Sequence, residues 1–133
     1  MKHDEFIGQV QHRARLDSRG AAERAVRATL ETLGERLEGG APDKLAAQLP
    51  QEIGEHLRRM EGESERFDLD GFFERVTRRE GVDPPEAVFH ARCVVEVVEE
   101  ATTPGTMAKI RDQLPSDYER LFAAGSTGPM PGN

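Results

Sequence analysis

The sequence is short of the residues that most often mark a catalytic or metal-bearing protein. It has one cysteine, Cys93, so no internal disulfide can form and no cysteine pair is present to hold zinc or an iron–sulfur cluster. It has no tryptophan and a single tyrosine, which leaves little with which to stack nucleic-acid bases. There is no Gly-x-Ser-x-Gly, no phosphate-binding glycine loop closed by Lys-Ser/Thr, no dinucleotide fingerprint and no Glu-x-x-His pair of the di-iron bundles. No run approaches the roughly 18–20 apolar residues of a membrane span, and the opening MKHDEFIGQV carries no apolar stretch of signal-peptide length. A reducing cytoplasm is the expected location, with no membrane association.

What is present is charge. Of the 133 residues 32% are charged and 36% apolar, and the formal charge is -7. Neither half carries a basic surplus, which disfavours non-specific binding to nucleic acid or anionic lipid. The arginines of the first half (Arg13, Arg15, Arg19, Arg24, Arg27) and of the second (Arg75, Arg78, Arg79) are interleaved with acids, as on solvated, salt-bridged helix faces.

The chain also repeats itself. Lys44 to Pro50, KLAAQLP, returns 65 residues later as Lys109 to Pro115, KIRDQLP. The same offset superposes Arg27 on Arg92, Leu30 on Val95, Glu31 on Glu96 and Leu33 on Val98. Upstream, a one-residue insertion near Ser18 to Ala21 makes the offset 66, and it pairs Phe6 with Phe72, Val10 with Val76, Arg13 with Arg79 and Asp17 with Asp83. Halves of about 60 residues are marginal alone, so the repeats are expected to share one core.

Helical spacing recurs throughout. Phe6, Ile7, Val10 and Ala14 predict a helix over 4–15, and Asp17 or Ser18 can cap the next. That helix, about 19–37, has the stripe Ala22, Val26, Leu30, Leu33 and Leu37, with Glu23, Arg27, Glu31 and Glu35 expected toward water, and Gly39-Gly40 expected to stop it. Asp43 to Gln48 and Pro50 to about Met60 predict two short helices meeting at a QLP corner, with Leu49 as its buried pivot. The second half replays the plan: a helix after Asp68, a break at Gly81 to Pro84, a long helix over 85–101, a Pro104-Gly105 turn, and two short helices meeting at Leu114-Pro115.

One segment points the other way. Cys93-Val94-Val95-Glu96-Val97-Val98 is β-branched enough to be a strand, but its repeat partner Ala28 to Leu33 has a helical pattern, and the repeat decides. So many valines suggest that this second long helix is the more deeply buried of the two.

The fold class expected is therefore all-α: about eight helices in two tandem four-helix repeats, packed as one pseudo-two-fold domain. Its bounds are 1–124, with repeat one at about 3–60 and repeat two at about 67–123; Gly125 to Asn133 reads as a disordered tail.

Two constellations could carry chemistry. Glu86, His90 and Cys93 stand at i, i+4 and i+7 on one helix, where a metal would need a fourth ligand from elsewhere; the plainer reading is a small buried cysteine beside a boundary histidine. Glu52 and His56 stand at i, i+4, a spacing that more often gives a surface pair than a metal site. Cys93 has valines rather than cations beside it, and an apolar site raises a thiol's pKa.

The polar residues that recur in both repeats are Arg13/Arg79, Arg27/Arg92, Lys44/Lys109 and Gln48/Gln113. They could hold the scaffold or line a symmetric groove between the halves. For the glutamines the scaffold reading is preferred: Gln48 and Gln113 are expected to hydrogen-bond the backbone that Pro50 and Pro115 leave unpaired.

The Phe6-x-x-x-Val10 opening, RATLETLGERLEGG at Arg27 to Gly40, LAAQLP at Leu45 to Pro50 and the later echo HARCVVEVV and IRDQLP resemble the bacterial family designated domain of unknown function 2267. The resemblance covers about residues 3–123, with several segments agreeing in order and spacing. Gly20 departs from it, where a better helix former is usual, as does the loop from Thr102 to Thr106, where the family commonly has a glycine pair. The resemblance implies a duplicated all-helical domain of cytosolic bacterial proteins and lends no site residues.

Together these features point to a non-catalytic interaction module with an unidentified protein partner and no cofactor. A small-ligand or metal-binding protein using Glu86, His90 and Cys93 is the second reading, and nucleic-acid binding through the arginines the third. Oligomeric state is left open.

Overall fold

A computed structural model describes residues 1–122, so the tail from 125 onward lies outside the described residues. The described chain is helical, with no strand: α1 (His3–Arg13), α2 (Arg19–Arg36), α3 (Ala41–Ala46), α4 (Gln51–Arg58), α5 (Leu69–Glu80), α6 (Pro84–Ala101), α7 (Pro104–Asp112) and, after a 3-10 turn at Ser116–Tyr118, α8 (Glu119–Phe122).

Local chemistry sets the boundaries. Ser18 accepts from the Ala21 amide at 3.1 Å and Asp68 from the Gly71 amide at 2.9 Å, so α2 and α5 begin on side-chain caps. Two residues past α1 the chain turns at Arg15, whose φ of 54° is left-handed, and α5 is closed by its C-cap Gly81 with φ 76°. Those two residues stand 66 apart. The second half meets the left-handed stop with a glycine, whereas the first holds an arginine in it at a conformational cost.

The valine-rich segment is helical within α6, as its repeat partner required. Two boundaries differ from the sequence pattern. Pro104 and Gly105 are not a turn but the first residues of α7, capped by Thr103, which accepts from the Thr106 amide. Proline fits there because a first-turn amide has no helical partner to lose. Helix α2 stops at Arg36 with an extended Leu37, and Gly39, at φ 59°, turns the chain only afterwards.

One contiguous buried cluster draws on every helix: Phe6 and Val10 of α1, Val26 and Leu30 of α2, Leu45 of α3, Leu57 of α4, Phe72 of α5, Val94 and Val98 of α6, Ile110 of α7 and Leu121 of α8. Burying each such side chain contributes about 1.5–3 kcal/mol, so the halves stabilise one another. Leu49 is buried at its corner, while Leu114 is only partly buried.

The deeper helix is α2, not α6: eleven of its residues are buried against nine. The reason is side-chain size. Helix α2 packs against α1, α4, α5 and α6, and small residues let neighbours approach from several sides. At Gly34 an added Cβ would lie 2.7 Å from the Leu57 carbonyl oxygen of α4. Valines fill one broad face of α6 but leave Glu99 and Glu100 outside the buried set.

Glu35 is likewise buried rather than turned to water. Arg75 Nη1 lies 2.8 Å and Arg79 Nη1 3.1 Å from its Oε1, so α5 supplies the countercharge. Burial pushes this carboxyl up, but the hydrogen bonds and charges of Arg79 and Arg75 outweigh it and hold the pKa below its ordinary 4.5. Next to it Arg36 donates to the Phe67 carbonyl at 2.9 Å and lies over the Tyr118 ring, which ties α2 to the residues just before α5 and to the 3-10 turn.

Candidate functional site

The recurring polar residues fall into three groups. Arg13 of α1 pairs with Glu96 at 2.9 Å and Glu100 at 2.6 Å on α6, and Arg79 of α5 pairs with Glu35 of α2. Glu35 and Glu100 stand 65 residues apart. These two arginines, each on the opening helix of one half, thus meet an acid on the long helix of the other. With a partner on both sides these residues hold helices together.

The glutamines do the same for the loops, though not as the sequence led one to expect. Gln48 accepts from the Thr103 amide at 2.8 Å and donates to Thr106 Oγ1 at 2.5 Å; Gln113 accepts from the Glu38 amide at 3.1 Å. Neither of these bonds goes to the backbone freed by Pro50 or Pro115. Each reaches the loop between the long helix and the next short helix of the opposite half, and Glu38 and Thr103 again stand 65 apart. The 65-residue offset could have found these partners, because it places Thr103 opposite Glu38.

Lys44 and Lys109 have no such bond. Both are exposed, and both line one groove of about 280 Å³ with Glu38, Gly39, Ala41, Ile110 and Gln113. The Glu38 carboxylate is engaged by Arg66 at 3.0 Å. The groove therefore has an apolar strip and one lysine from each half. It can hold an extended or helical segment with carboxylates, while its described lining has no nucleophile–base pair.

Arg27 and Arg92 part company. Arg92 donates to the Arg120 carbonyl at 2.8 Å, tying α6 to α8. Arg27 is exposed and lines a second cleft, of about 350 Å³, with His3, Ile7, Gly20, Glu23, Arg24, Glu52, Ile53 and His56. Glu52 and His56 do share this cleft, but Glu52 faces His3 at 3.4 Å and His56 meets Arg59 at 2.9 Å.

The Glu86, His90 and Cys93 constellation is not assembled. Glu86 is exposed, and His90 is fully buried rather than at a boundary. His90 Nδ1 pairs with Glu80 Oε2 at 2.5 Å, a partner from the end of α5 that helical spacing could not supply. Cys93 packs with Ala14 and Phe89, and burial pushes its thiol up to about 12, with Glu96 adding to the shift. Among the described residues no three His, Cys, Asp or Glu side chains converge as a metal site.

Comparison with known protein families matches residues 3–121 to the uncharacterized conserved protein family DUF2267. The chain belongs to that family. The match takes in both halves of the chain, and with them the groove and the second cleft of this DUF2267 protein. A search of curated proteins gave no match. In this DUF2267 chain no helix among the described residues is long and apolar enough to cross a membrane.

Proposed function

We propose that this DUF2267 protein is a non-catalytic interaction module of the bacterial cytoplasm, and that its groove between α3 and α7 takes an acidic segment of a protein partner. The single observation that carries the reading is that Lys44 and Lys109, equivalent positions 65 residues apart, line one groove together. The module is two tandem repeats packed about a pseudo-two-fold axis. That arrangement is supported by the two pairs of crossed contacts, Gln48 to Thr103 with Gln113 to Glu38, and Arg13 to Glu100 with Arg79 to Glu35. Under such an axis the two lysines become symmetric flanks of the groove.

A non-catalytic role is favoured by the chemistry of the reactive side chains. The one thiol is buried and held protonated, and His90 is buried against Glu80. A segment bearing carboxylates suits the lysines, and its apolar side chains suit Ala41 and Ile110.

Affinity capture from lysate, comparing wild type with Lys44→Glu/Lys109→Glu, tests this. The expected result is a stoichiometric protein partner held by wild type and lost from the variant, with unchanged thermal stability. A partner retained equally by both, or a turnover activity of the purified protein, contradicts it.

A further inference from the structure

The second cleft, between α1, α2 and α4, shares no lining residue with the lysine groove. In a protein with a surplus of acids, nearly every arginine is occupied. Arg13, Arg19, Arg58, Arg59, Arg66, Arg75, Arg78, Arg79, Arg111 and Arg120 face carboxylates, and Arg36 and Arg92 donate to carbonyls. Arg15 is also partnered. Arg24 and Arg27 form no ion pair or hydrogen bond with a described residue, and both line this cleft.

The acids in the cleft wall are already engaged. Glu23 lies 3.3 Å from Arg19, and Glu52 lies 3.4 Å from His3. Arg59 Nη2 sits 2.9 Å from His56 Nδ1; a guanidinium only donates, so Nδ1 accepts and the neutral ring carries its proton on Nε2. The floor is apolar, formed by the buried Ile7 and Ile53, and Gly20 adds no side chain to the wall. Two unpaired guanidinium groups, a neutral N–H donor and an apolar floor make a binding site for an oxyanion attached to a less polar body.

We propose that this cleft binds a phosphate-bearing small molecule, with Arg24 and Arg27 holding the phosphate and His56 donating from Nε2. The imidazole supplies an independent reporter. Burial first, then the charges of Arg59, Arg27 and His3, holds it down at about 4, against a small opposing effect of Glu55. A bound dianion offsets those cations, so His56 titrates at higher pH when the cleft is filled. Glu52 and Glu23 also face the site.

The test is a titration of the full chain with inorganic phosphate, followed by calorimetry and by the NMR signals of the His56 ring. The account expects saturable binding in the millimolar range and an upward move of the His56 titration. Arg24→Gln/Arg27→Gln should lower affinity about tenfold or more with its melting temperature kept, since both side chains are exposed. Lys44→Gln/Lys109→Gln should bind phosphate as wild type does. Undisturbed His56 signals, binding that survives the double arginine change, or equal binding of acetate overturns the assignment.

Discussion

Gln113 reaches from the end of α7 to the backbone of Glu38, accepting its amide at 3.1 Å across to the other half of the chain. Gln48 does the same in the opposite sense, to Thr103. The glutamine of each QLP corner thus anchors a loop of the opposite half, and the lysine groove runs beside the Gln113 anchor.

Removing the anchors should loosen the loops more than the core. Gln48→Ala and Gln113→Ala are each expected to cost about 0.5–1.5 kcal/mol in thermal unfolding, toward the low end because both residues are exposed. Amide exchange should then speed up at Thr103 in the first variant and at Glu38 in the second. Unchanged exchange at both sites contradicts the role.

Glycine-to-alanine changes should separate by position. At Gly34 and Gly54 an added Cβ would stand 2.7 Å from the carbonyl oxygens of Leu57 and Ala46, so alanine there should destabilise by about 1–3 kcal/mol. At Gly20 nothing lies within 4 Å, and alanine should be neutral or stabilising by about 0.5–1 kcal/mol. Denaturant melts of the three variants check the order.

Glu35 links stability to pH. Its folded pKa lies below its ordinary 4.5, so the stability it contributes is present above that value and is lost as pH falls through the folded pKa. Glu100, held down chiefly by its hydrogen bond to Arg13, acts in the same direction. Glu35→Gln should be less stable by about 1.5–3 kcal/mol at pH 7 and should lose less on acidification than wild type, as urea melts across pH 3–7 would show. Parallel pH profiles contradict the linkage.

Cys93 should be inert in the folded protein. With its thiol held at about 12, iodoacetamide at pH 8 should leave it unmodified under native conditions and alkylate it fully in denaturant. Rapid native alkylation would mean that the Ala14, Phe89 and Cys93 cluster opens.

The helices were legible because periodicity and capping are local: Ser18, one of the two expected caps, does cap α2, a helix does follow Asp68, and the repeat correctly overruled the valines of α6. The burial of Glu35 was not legible, since its neutralising arginines lie far along the chain on α5. Glu80 stayed hidden as the partner of His90 because the two stand on separate helices that helical spacing does not relate, and the meeting of His3 with Glu52 was hidden in the same way. The relative depth of α2 and α6 was misread because valine content reports hydrophobicity, whereas small residues such as Ala25, Ala28 and Gly34 decide how closely neighbours pack. Lys44 and Lys109 were found from the repeat alone, but their sharing of one groove needed the fold.

Site-specific photo-crosslinking in living cells tests the docking groove most directly, with the photoreactive residue placed at Ala41 or Thr106 in the groove and at Glu74 outside its lining. The account predicts one discrete protein adduct from the two groove positions, abolished by Lys44→Glu/Lys109→Glu and absent from position 74. The same adducts from all three positions, or none from the groove, would contradict it.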